Sequence, residues 1–276
     1  PGRLGQRGVS AGRLTLRKGR FALRIRYCTY TDTGDRAVNE DRLCALQTAA
    51  GHCFAVADGL GGLDLGDEAA ELACRAVADY AAILPAFSSR ALEQMFFAAQ
   101  QAILERQHAL HCESQMKTTL NVVLVGPQAI HWAHVGDSRT YYARGQRLVR
   151  RTFDHSVTQM LSAIGQVQER EIRFHEDRSK LLRVLGTPWA RSQVEVEADL
   201  PLDPPQQLLL CSDGFWEYIT EEQIQICLEE ADGPELWMEN MRELIRRNEH
   251  GRPGERDNRT AVAVWIDPEG GAKEEA

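Results

Sequence analysis

Four aspartates in this 276-residue chain lie at the ends of short apolar runs, where rigid strands could hold them together. Asp58, Asp137 and Asp213 each follow such a run, and Asp257 comes shortly before one. Gly59, directly after Asp58, leaves room for its backbone carbonyl to approach a ligand. One Asp-Gly pair after a strand is usually only a turn, but four aspartates in equivalent places indicate a shared site.

A cluster of carboxylates requires cations, because like charges at short range destabilise one another. The acidic pair Glu40 and Asp41 follows another loop and adds to the cluster. Ligation by oxygen alone favours a hard ion, so the residues predict Mg²⁺ or Mn²⁺ rather than zinc or copper.

The elements that must position these aspartates can be read from apolar periodicity. Thr220 begins one helix with a capping box, and apolar residues at three- and four-residue intervals predict three more over 67–84, 92–103 and 237–245. Short β-branched or aromatic runs predict strands at 53–57, 120–125, 130–135, 139–143, 207–211 and 260–266. The runs 130–135 and 139–143 are expected to form a hairpin-like pair around a tight polar turn. Strict strand–helix alternation is absent, so we predict antiparallel sheet layers with helices outside, an α+β fold.

Charge is distributed unevenly along the chain. The 40 acidic and 32 basic residues give a net charge of −8, but residues 1–26 contain eight basic side chains and no acidic one. We predict that this arm is a disordered leader, with contact to an acidic surface, nucleic acid or phospholipid head groups as an alternative. Residues 268–276 are predicted to form an acidic, frayed tail, which leaves one domain between the two tails.

The seven cysteines are odd in number and contain no C-x-x-C pair. Most lie in apolar runs, where a reduced thiol behaves as a small hydrophobic side chain. Neither a disulfide framework nor a zinc site is expected, and a reducing, cytoplasmic location is favoured. No run approaches the length of a membrane-spanning helix, so none is expected.

Seven motifs in order carry a resemblance to a known family: Arg36-Ala-Val-Asn-Glu-Asp41, Val56-Ala-Asp-Gly-Leu-Gly-Gly62, His134-Val-Gly-Asp-Ser-Arg139, Asp154-His-Ser156, Leu182-Arg-Val-Leu-Gly-Thr187, Cys211-Ser-Asp-Gly214 and Asp257-Asn258-Arg-Thr260. Over residues 27–267 the chain closely resembles the metal-dependent serine/threonine protein phosphatases of type 2C, in their compact bacterial form. The resemblance implies a catalytic domain over these residues. Its fold would be a central sandwich of two antiparallel β-sheets, flanked on both sides by helix pairs in four layers.

The resemblance also implies a set of metal ligands. Asp58 would bridge two Mn²⁺ or Mg²⁺ ions, and Gly59 would offer its carbonyl to one of them. Asp213 and Asp257 would hold the other ion, and Asp137 would hold a third, weaker ion together with Asp213. The catalytic set would therefore include Asp58 and Asp213.

Three further residues take roles through the same resemblance. Glu40 and Asp41 match an acidic pair near the metals, where Glu40 would act through a bound water. Arg36 matches the arginine that grips the substrate phosphate, and its planar guanidinium can hold two phosphate oxygens at once. The implied reaction is direct attack of a metal-bridging hydroxide on phosphoserine or phosphothreonine in proteins, opposing a serine/threonine kinase in bacterial signalling.

One departure from the family concerns the general acid. Many eukaryotic relatives have a histidine after the Asp-Gly pair, whereas this chain has Leu60, which cannot transfer a proton. His155 could replace it, but a hydrogen-bonded scaffold role is favoured for His155 and also for His134. The general acid is therefore unassigned. Residues 157–182 are polar and expected to be rich in loops, and the resemblance implies that they form a flap beside the active site.

Three alternatives stay open at this stage. A pseudophosphatase would keep the fold as a binding module, but it should lack metal ligands that this chain retains. A phosphatase of small phosphomonoesters would use identical chemistry. A binding role for residues 1–26 would be compatible with catalysis and sensitive to salt. We expect a monomer.

Overall fold

The structure, a computed structural model, describes residues 8–18, 21–60, 65–112, 115–190, 192–252 and 254–268. The strands are β1 (Gly8–Lys18), β2 (Phe21–Asp32), β3 (Asp41–Thr48), β4 (Gly51–Asp58), β5 (Leu120–Val125), β6 (Ala129–Val135), β7 (Arg139–Arg144), β8 (Arg147–Arg151), β9 (Glu195–Val196), β10 (Leu200–Pro201), β11 (Gln206–Cys211) and β12 (Arg259–Pro268). The helices are α1 (Gly66–Ile83), α2 (Ser89–Leu110), α3 (Val157–Ala163), α4 (Asp213–Trp216), α5 (Glu221–Glu229), α6 (Pro234–Glu249) and a 3-10 helix (Glu169–Phe174).

These strands form two antiparallel sheets. The first sheet has the order β1-β2-β12-β11-β7-β8. The second has the order β10-β6-β5-β4-β3, with β9 paired to β6. Several neighbours are consecutive strands, but the pairs β2–β12, β11–β7 and β10–β6 join segments that are far apart in the chain.

Three buried apolar clusters divide the molecule into four layers. One lies between α1, α2 and the second sheet and includes Leu92 and Phe96. Another fills the space between the two sheets and includes Phe54 and Trp132. The last lies between the first sheet and helices α5 and α6 and includes Trp237. The predicted sandwich with helix pairs on both sides is confirmed.

The predicted strands and helices correspond to β4, β5, β6, β7, β11 and β12, and to α1, α2 and α6. The capping box of α5 is present, because the Thr220 hydroxyl accepts from the Gln223 backbone N–H and the Gln223 side chain accepts from the Thr220 N–H. The hairpin prediction for β6 and β7 is wrong. The two strands belong to different sheets, so the turn between them crosses from one sheet to the other.

The prediction of a disordered leader over 1–26 is wrong for most of its length. Gly8–Lys18 form β1, which pairs with β2 from Gly8 opposite Thr31 to Lys18 opposite Phe21. In β2 the apolar residues Leu23 and Ile25 alternate with arginines and are buried between the sheets. This period-two pattern is that of a strand with one face in the core. The high content of glycine and arginine in residues 1–26 instead favoured the prediction of disorder.

Two other predictions concern the ends and the membrane. The predicted acidic tail beyond Pro268 lies outside the described residues. Among the helices that the structure describes, none is both long and apolar enough to span a bilayer.

Candidate metal centre and active site

A cavity of about 370 Å³ lies at one end of the sandwich and collects nearly all of the predicted site residues. Its wall contains Arg36, Glu40, Asp58, Gly59, Leu60, Asp137, Ser179, Leu181, Asp213 and Asp257. Among the predicted site residues, only Asp41 does not line it. Predicted site residues that are dispersed over more than 200 positions of the chain thus meet in one place.

Strand ends of both sheets build this cavity. Asp58 is the last residue of β4 in the second sheet, and Asp213 begins α4 two residues beyond β11 in the first. Asp257 precedes β12, and Asp137 lies in the turn that carries the chain from β6 in one sheet to β7 in the other. The alignment of the two sheets therefore sets the spacing between the carboxylates.

Backbone hydrogen bonds fix the end of β4. The Asp58 N–H donates to the Thr119 hydroxyl at 3.0 Å, and the Asp58 carbonyl accepts from the Thr118 hydroxyl at 2.9 Å. Gly59 approaches the backbone so closely that a Cβ there would lie 2.2 Å from the carbonyl oxygen of Gly66. Glycine is thus required beside Asp58, and Thr118 and Thr119 position that aspartate in addition to packing in the core.

Asp41 lies behind the cavity wall. Its side chain is buried, and Oδ2 accepts a hydrogen bond from the Ser212 hydroxyl at 2.7 Å. Its Oδ1 is buried and has no hydrogen-bond partner among the described residues. Burial, opposed by the Ser212 hydrogen bond and reinforced by the charge of Asp213, raises the pKa of Asp41 to about 7.

The electrostatics of the cluster favour protons or cations. Burial and the charge of Asp213 hold the pKa of Asp58 and of Asp137 well above the usual range for a carboxyl. Burial and the charge of Asp257 raise the pKa of Asp213 to about 6. Carboxylates that are buried this close together are all ionised at neutral pH only if positive charge compensates them. The ligands available are oxygen atoms, and the buried Asp41 Oδ1 nearby has no hydrogen-bond partner among the described residues. Both features fit hard divalent cations.

Arg36 brings a positive charge to the cavity rim. Its Nη2 lies 2.8 Å from Oδ2 of Asp257, and both side chains are just over 40% exposed. The guanidinium therefore pairs with Asp257 through one nitrogen and still faces solvent, where an anion entering the cavity can reach it.

Neither His155, the histidine considered as a general acid, nor the neighbouring His134 lines the cavity. His134 and His155 stack with ring centroids 4.5 Å apart. Nδ1 of His155 accepts from the Gly136 N–H at 3.2 Å, and its Nε2 lies 2.9 Å from Glu195 Oε2 and 3.2 Å from Arg183 Nη1. His134, His155 and Glu195 are close enough to share a metal ion, but the Arg183 guanidinium lies 3.2 Å from His155 Nε2, and its positive charge disfavours a cation there. The geometry fits the scaffold role for His155.

The flap predicted over 157–182 borders the cavity. Ser179 and Leu181 form part of its wall, which the sequence did not single out. Nε of Arg178 donates to Glu217 Oε1 at 2.7 Å, and this ion pair ties the flap to the segment just after α4. The segment is loop-rich as expected, with α3 and the 3-10 helix as its regular parts.

The chain belongs to the protein phosphatase 2C family, whose model matches residues 32–250. It is 31% identical over 176 residues to the serine/threonine phosphatase stp of Listeria welshimeri. That match covers 62% of this chain and 69% of the relative. It is 32% identical over 252 residues to the serine/threonine protein phosphatase PstP of Mycobacterium tuberculosis. That match covers 90% of this chain but 46% of the longer relative.

Solved structures agree with the family assignment. The Mycobacterium tuberculosis phosphatase PstP superimposes with a TM-score of 0.74 at 28% identity, covering 88% of this chain and 99% of that one. A structure of the PstP catalytic domain with two manganese ions gives a TM-score of 0.74 at 26% identity and covers 89% and 99% of the two chains. Stp1 of Staphylococcus aureus superimposes with a TM-score of 0.78, covering 87% of this chain and 94% of that one. Because the identity is 24%, this likeness supports the fold alone.

Proposed function

We propose that this chain is a metal-dependent phosphatase that hydrolyses phosphoserine and phosphothreonine in proteins. The observation that carries the proposal is the convergence of five acidic side chains and one arginine around a single cavity. Family membership and the relatives named as serine/threonine phosphatases support the reaction class.

Burial raises the pKa of Asp58, and the charges of four other aspartates raise it further: Asp213, Asp41, Asp137 and Asp257. This central place among the carboxylates supports Asp58 as the ligand shared by two ions. We assign Asp213 and Asp257 to one ion, the Gly59 carbonyl to the other, and Asp137 with Asp213 to a third, weaker position. When bound, Mn²⁺ or Mg²⁺ would offset this charge and lower the pKa of a water molecule that attacks phosphorus.

The remaining residues bind the phosphate, orient water or influence the charge of the metal ligands. Arg36 holds two oxygens of the phosphate, since a guanidinium fork matches that geometry. Glu40 lies on the cavity wall and orients water at its edge. Asp41 acts through electrostatics, because it lies behind the wall and its charge raises the pKa of Asp58. Leu60 keeps one side of the cavity apolar and takes no part in proton transfer.

The proposed substrates are phosphorylated proteins of a bacterial serine/threonine kinase, and the proposed compartment is the cytosol, where the seven free thiols would stay reduced. A small phosphomonoester could enter the same cavity and be hydrolysed by the same residues. The ratio of peptide to small-ester turnover separates the two substrate classes.

The test is hydrolysis of p-nitrophenyl phosphate and a phosphothreonine peptide with Mn²⁺, Mg²⁺ or EDTA. The wild type is compared with Asp213→Ala and with Asp79→Ala, an exposed control on α1. Activity should need a divalent ion, collapse in Asp213→Ala and persist in Asp79→Ala. Activity that survives EDTA and Asp213→Ala would refute the metal site. A wild type that binds Mn²⁺ in calorimetry but turns over neither substrate would instead support a binding module.

A further inference from the structure

The side chain of Asn258 is bonded to three points of the segment that carries Arg36. Its Nδ2 donates to the carbonyl oxygen of Thr33 at 2.8 Å and to that of Val38 at 3.1 Å. Its Oδ1 accepts from the backbone N–H of Glu40 at 2.8 Å. Asn258 is only 5% exposed. Both amide hydrogens and the carbonyl oxygen are thus used within the protein, all on residues 33–40.

The same segment lies directly on the backbone beside Asp257. The Asp35 N–H donates to the Arg256 carbonyl at 2.9 Å, and the Asp35 carboxylate accepts from Arg256 Nε at 2.9 Å. Gly34 has a φ of +64°, and a Cβ there would lie 2.4 Å from the Asp257 carbonyl oxygen. The two loops approach each other as closely as glycine allows.

Residues 33–40 contain no helix or strand, so the position of Arg36 depends on such contacts. The Arg36 side chain is 44% exposed, and packing therefore restrains it weakly. The backbone N–H of Asn258 also donates to Asp257 Oδ1 at 2.8 Å. Asn258 thus holds both the Asp257 carboxylate and the loop that carries Arg36. The side chains of Arg36 and Asp257 are 2.8 Å apart.

We infer that Asn258 is a positioning residue, which sets the direction from which the Arg36 guanidinium meets the substrate phosphate. The inference rests on the proposed function of Arg36. Two parallel hydrogen bonds to a phosphate need correct orientation, and a displacement of about 1 Å can lower a rate by roughly two orders of magnitude. Asn258 acts through Arg36 and touches no reacting atom itself.

The experiment is a double-mutant cycle between Asn258 and Arg36 in the Mn²⁺-loaded enzyme. Asn258→Ala and Asn258→Asp are made in the wild type and in Arg36→Ala. The measurements are kcat and KM for p-nitrophenyl phosphate, the inhibition constant of inorganic phosphate, Mn²⁺ affinity by calorimetry and the unfolding temperature. Asn248→Ala is the matched control, since its amide donates to the Tyr218 carbonyl at 2.7 Å and to Gln223 at 3.0 Å, away from the cavity.

In the wild-type background, the Asn258 variants should lower kcat/KM roughly 10- to 100-fold and weaken phosphate inhibition about tenfold. In Arg36→Ala they should change either quantity less than about threefold, because the residue they position is gone. Mn²⁺ affinity should stay near the wild-type value. Asn248→Ala should lower the unfolding temperature without changing KM or phosphate inhibition.

Equal losses of kcat/KM in both backgrounds would overturn the inference, because Asn258 would then act without Arg36. Wild-type values of KM and phosphate inhibition in the variants would also overturn it. If Ala and Asp at this position unfold at the assay temperature, Asn258→Ser keeps a polar group in a smaller side chain and is measured instead. A wild type inactive on every phosphomonoester would refute the proposed function itself.

Discussion

Asp41 and Asp58 lie directly opposite each other at the last register position of the β3–β4 ladder. Like charges placed opposite each other on antiparallel strands destabilise the pair. The pKa of Asp41 is raised to about 7, and that of Asp58 lies well above its ordinary value, chiefly through burial. This end of the sheet is therefore stable only with protons or cations between its strands.

Without divalent ions, the stability of the protein should fall as pH rises from about 5 to 7.5. The pKa of Asp41 is about 7 and that of Asp213 about 6 in the folded protein, against 3.8 for an ordinary aspartate. The folded state then holds protons that the unfolded state releases, and stability is lost as pH rises through the folded pKa. In EDTA, the unfolding temperature should be roughly 5 °C lower at the higher pH.

Mn²⁺ should restore most of that loss, and more at high pH than at low pH, because it replaces the protons. An Asp41→Asn, Asp213→Asn double variant should show a flatter pH dependence in EDTA. A rising unfolding temperature with pH in EDTA would contradict the predicted compensation.

Arg36→Ala should lower kcat/KM for p-nitrophenyl phosphate by about 100-fold, through loss of the phosphate contact. Arg36→Lys should recover only part of it, since an ammonium cannot hold two oxygens in one plane. Arg75→Ala, on the exposed face of α1 where it pairs with Glu71, is the control and should behave as wild type. A fully active Arg36→Lys would show that charge alone suffices.

Asp154→Asn should destabilise the fold by about 3–5 kcal/mol. The buried Arg139 guanidinium would lose its closest carboxylate and keep only the longer contact to Glu221 at 3.3 Å. Asp154 accepts from Arg139 Nε at 2.9 Å and Nη2 at 2.8 Å, and both side chains are about 2% exposed or less. Urea unfolding measures the loss. Glu71→Gln, which breaks surface pairs with Arg75 and Arg42, should cost about 1 kcal/mol or less. Comparable losses in the two variants would show that the buried pair is not special.

The wild type should depend strongly on the leaving group, because Leu60 lines the cavity and cannot protonate a departing alkoxide. Aryl phosphates with increasingly basic leaving groups should be hydrolysed progressively more slowly. Leu60→His should flatten this dependence at unchanged Mn²⁺ affinity. A flat dependence in the wild type would point to another general acid in the cavity.

Removal of residues 1–18 should lower the unfolding temperature, because it exposes the backbone groups of β2 that now pair with β1. Turnover should stay within about twofold of the intact chain, since the deleted strand is at the far edge of its sheet from β11. Salt-sensitive binding to anionic vesicles or nucleic acid, tested in parallel, should disappear on deletion if the basic arm binds acidic surfaces. Its persistence would exclude that role.

Sequence patterns predicted the elements whose signal is local. The apolar repeat of α2 and the runs of β5 and β11 are visible in neighbouring residues, and an aspartate at a strand end needs no tertiary information. The β6–β7 crossing could not be predicted, because a polar turn does not reveal which sheet receives the next strand. The roles of Asn258, Thr119 and Ser179 at the site were not predicted, for a related reason. Their effect on the site arises from backbone hydrogen bonds or cavity contacts with segments distant in sequence.

The turn at Asp137 carries the chain from one sheet to the other, and the cavity takes carboxylates from both sides of that crossing. The affinity for metal ions therefore depends on how the two sheets are aligned. A substitution in the layer between them, such as Phe54→Ala or Trp132→Ala, could shift that alignment without touching the cavity. Natural substitutions in the core between the two sheets would then weaken metal binding. Differences in catalytic rate between related proteins can therefore originate far from the active site.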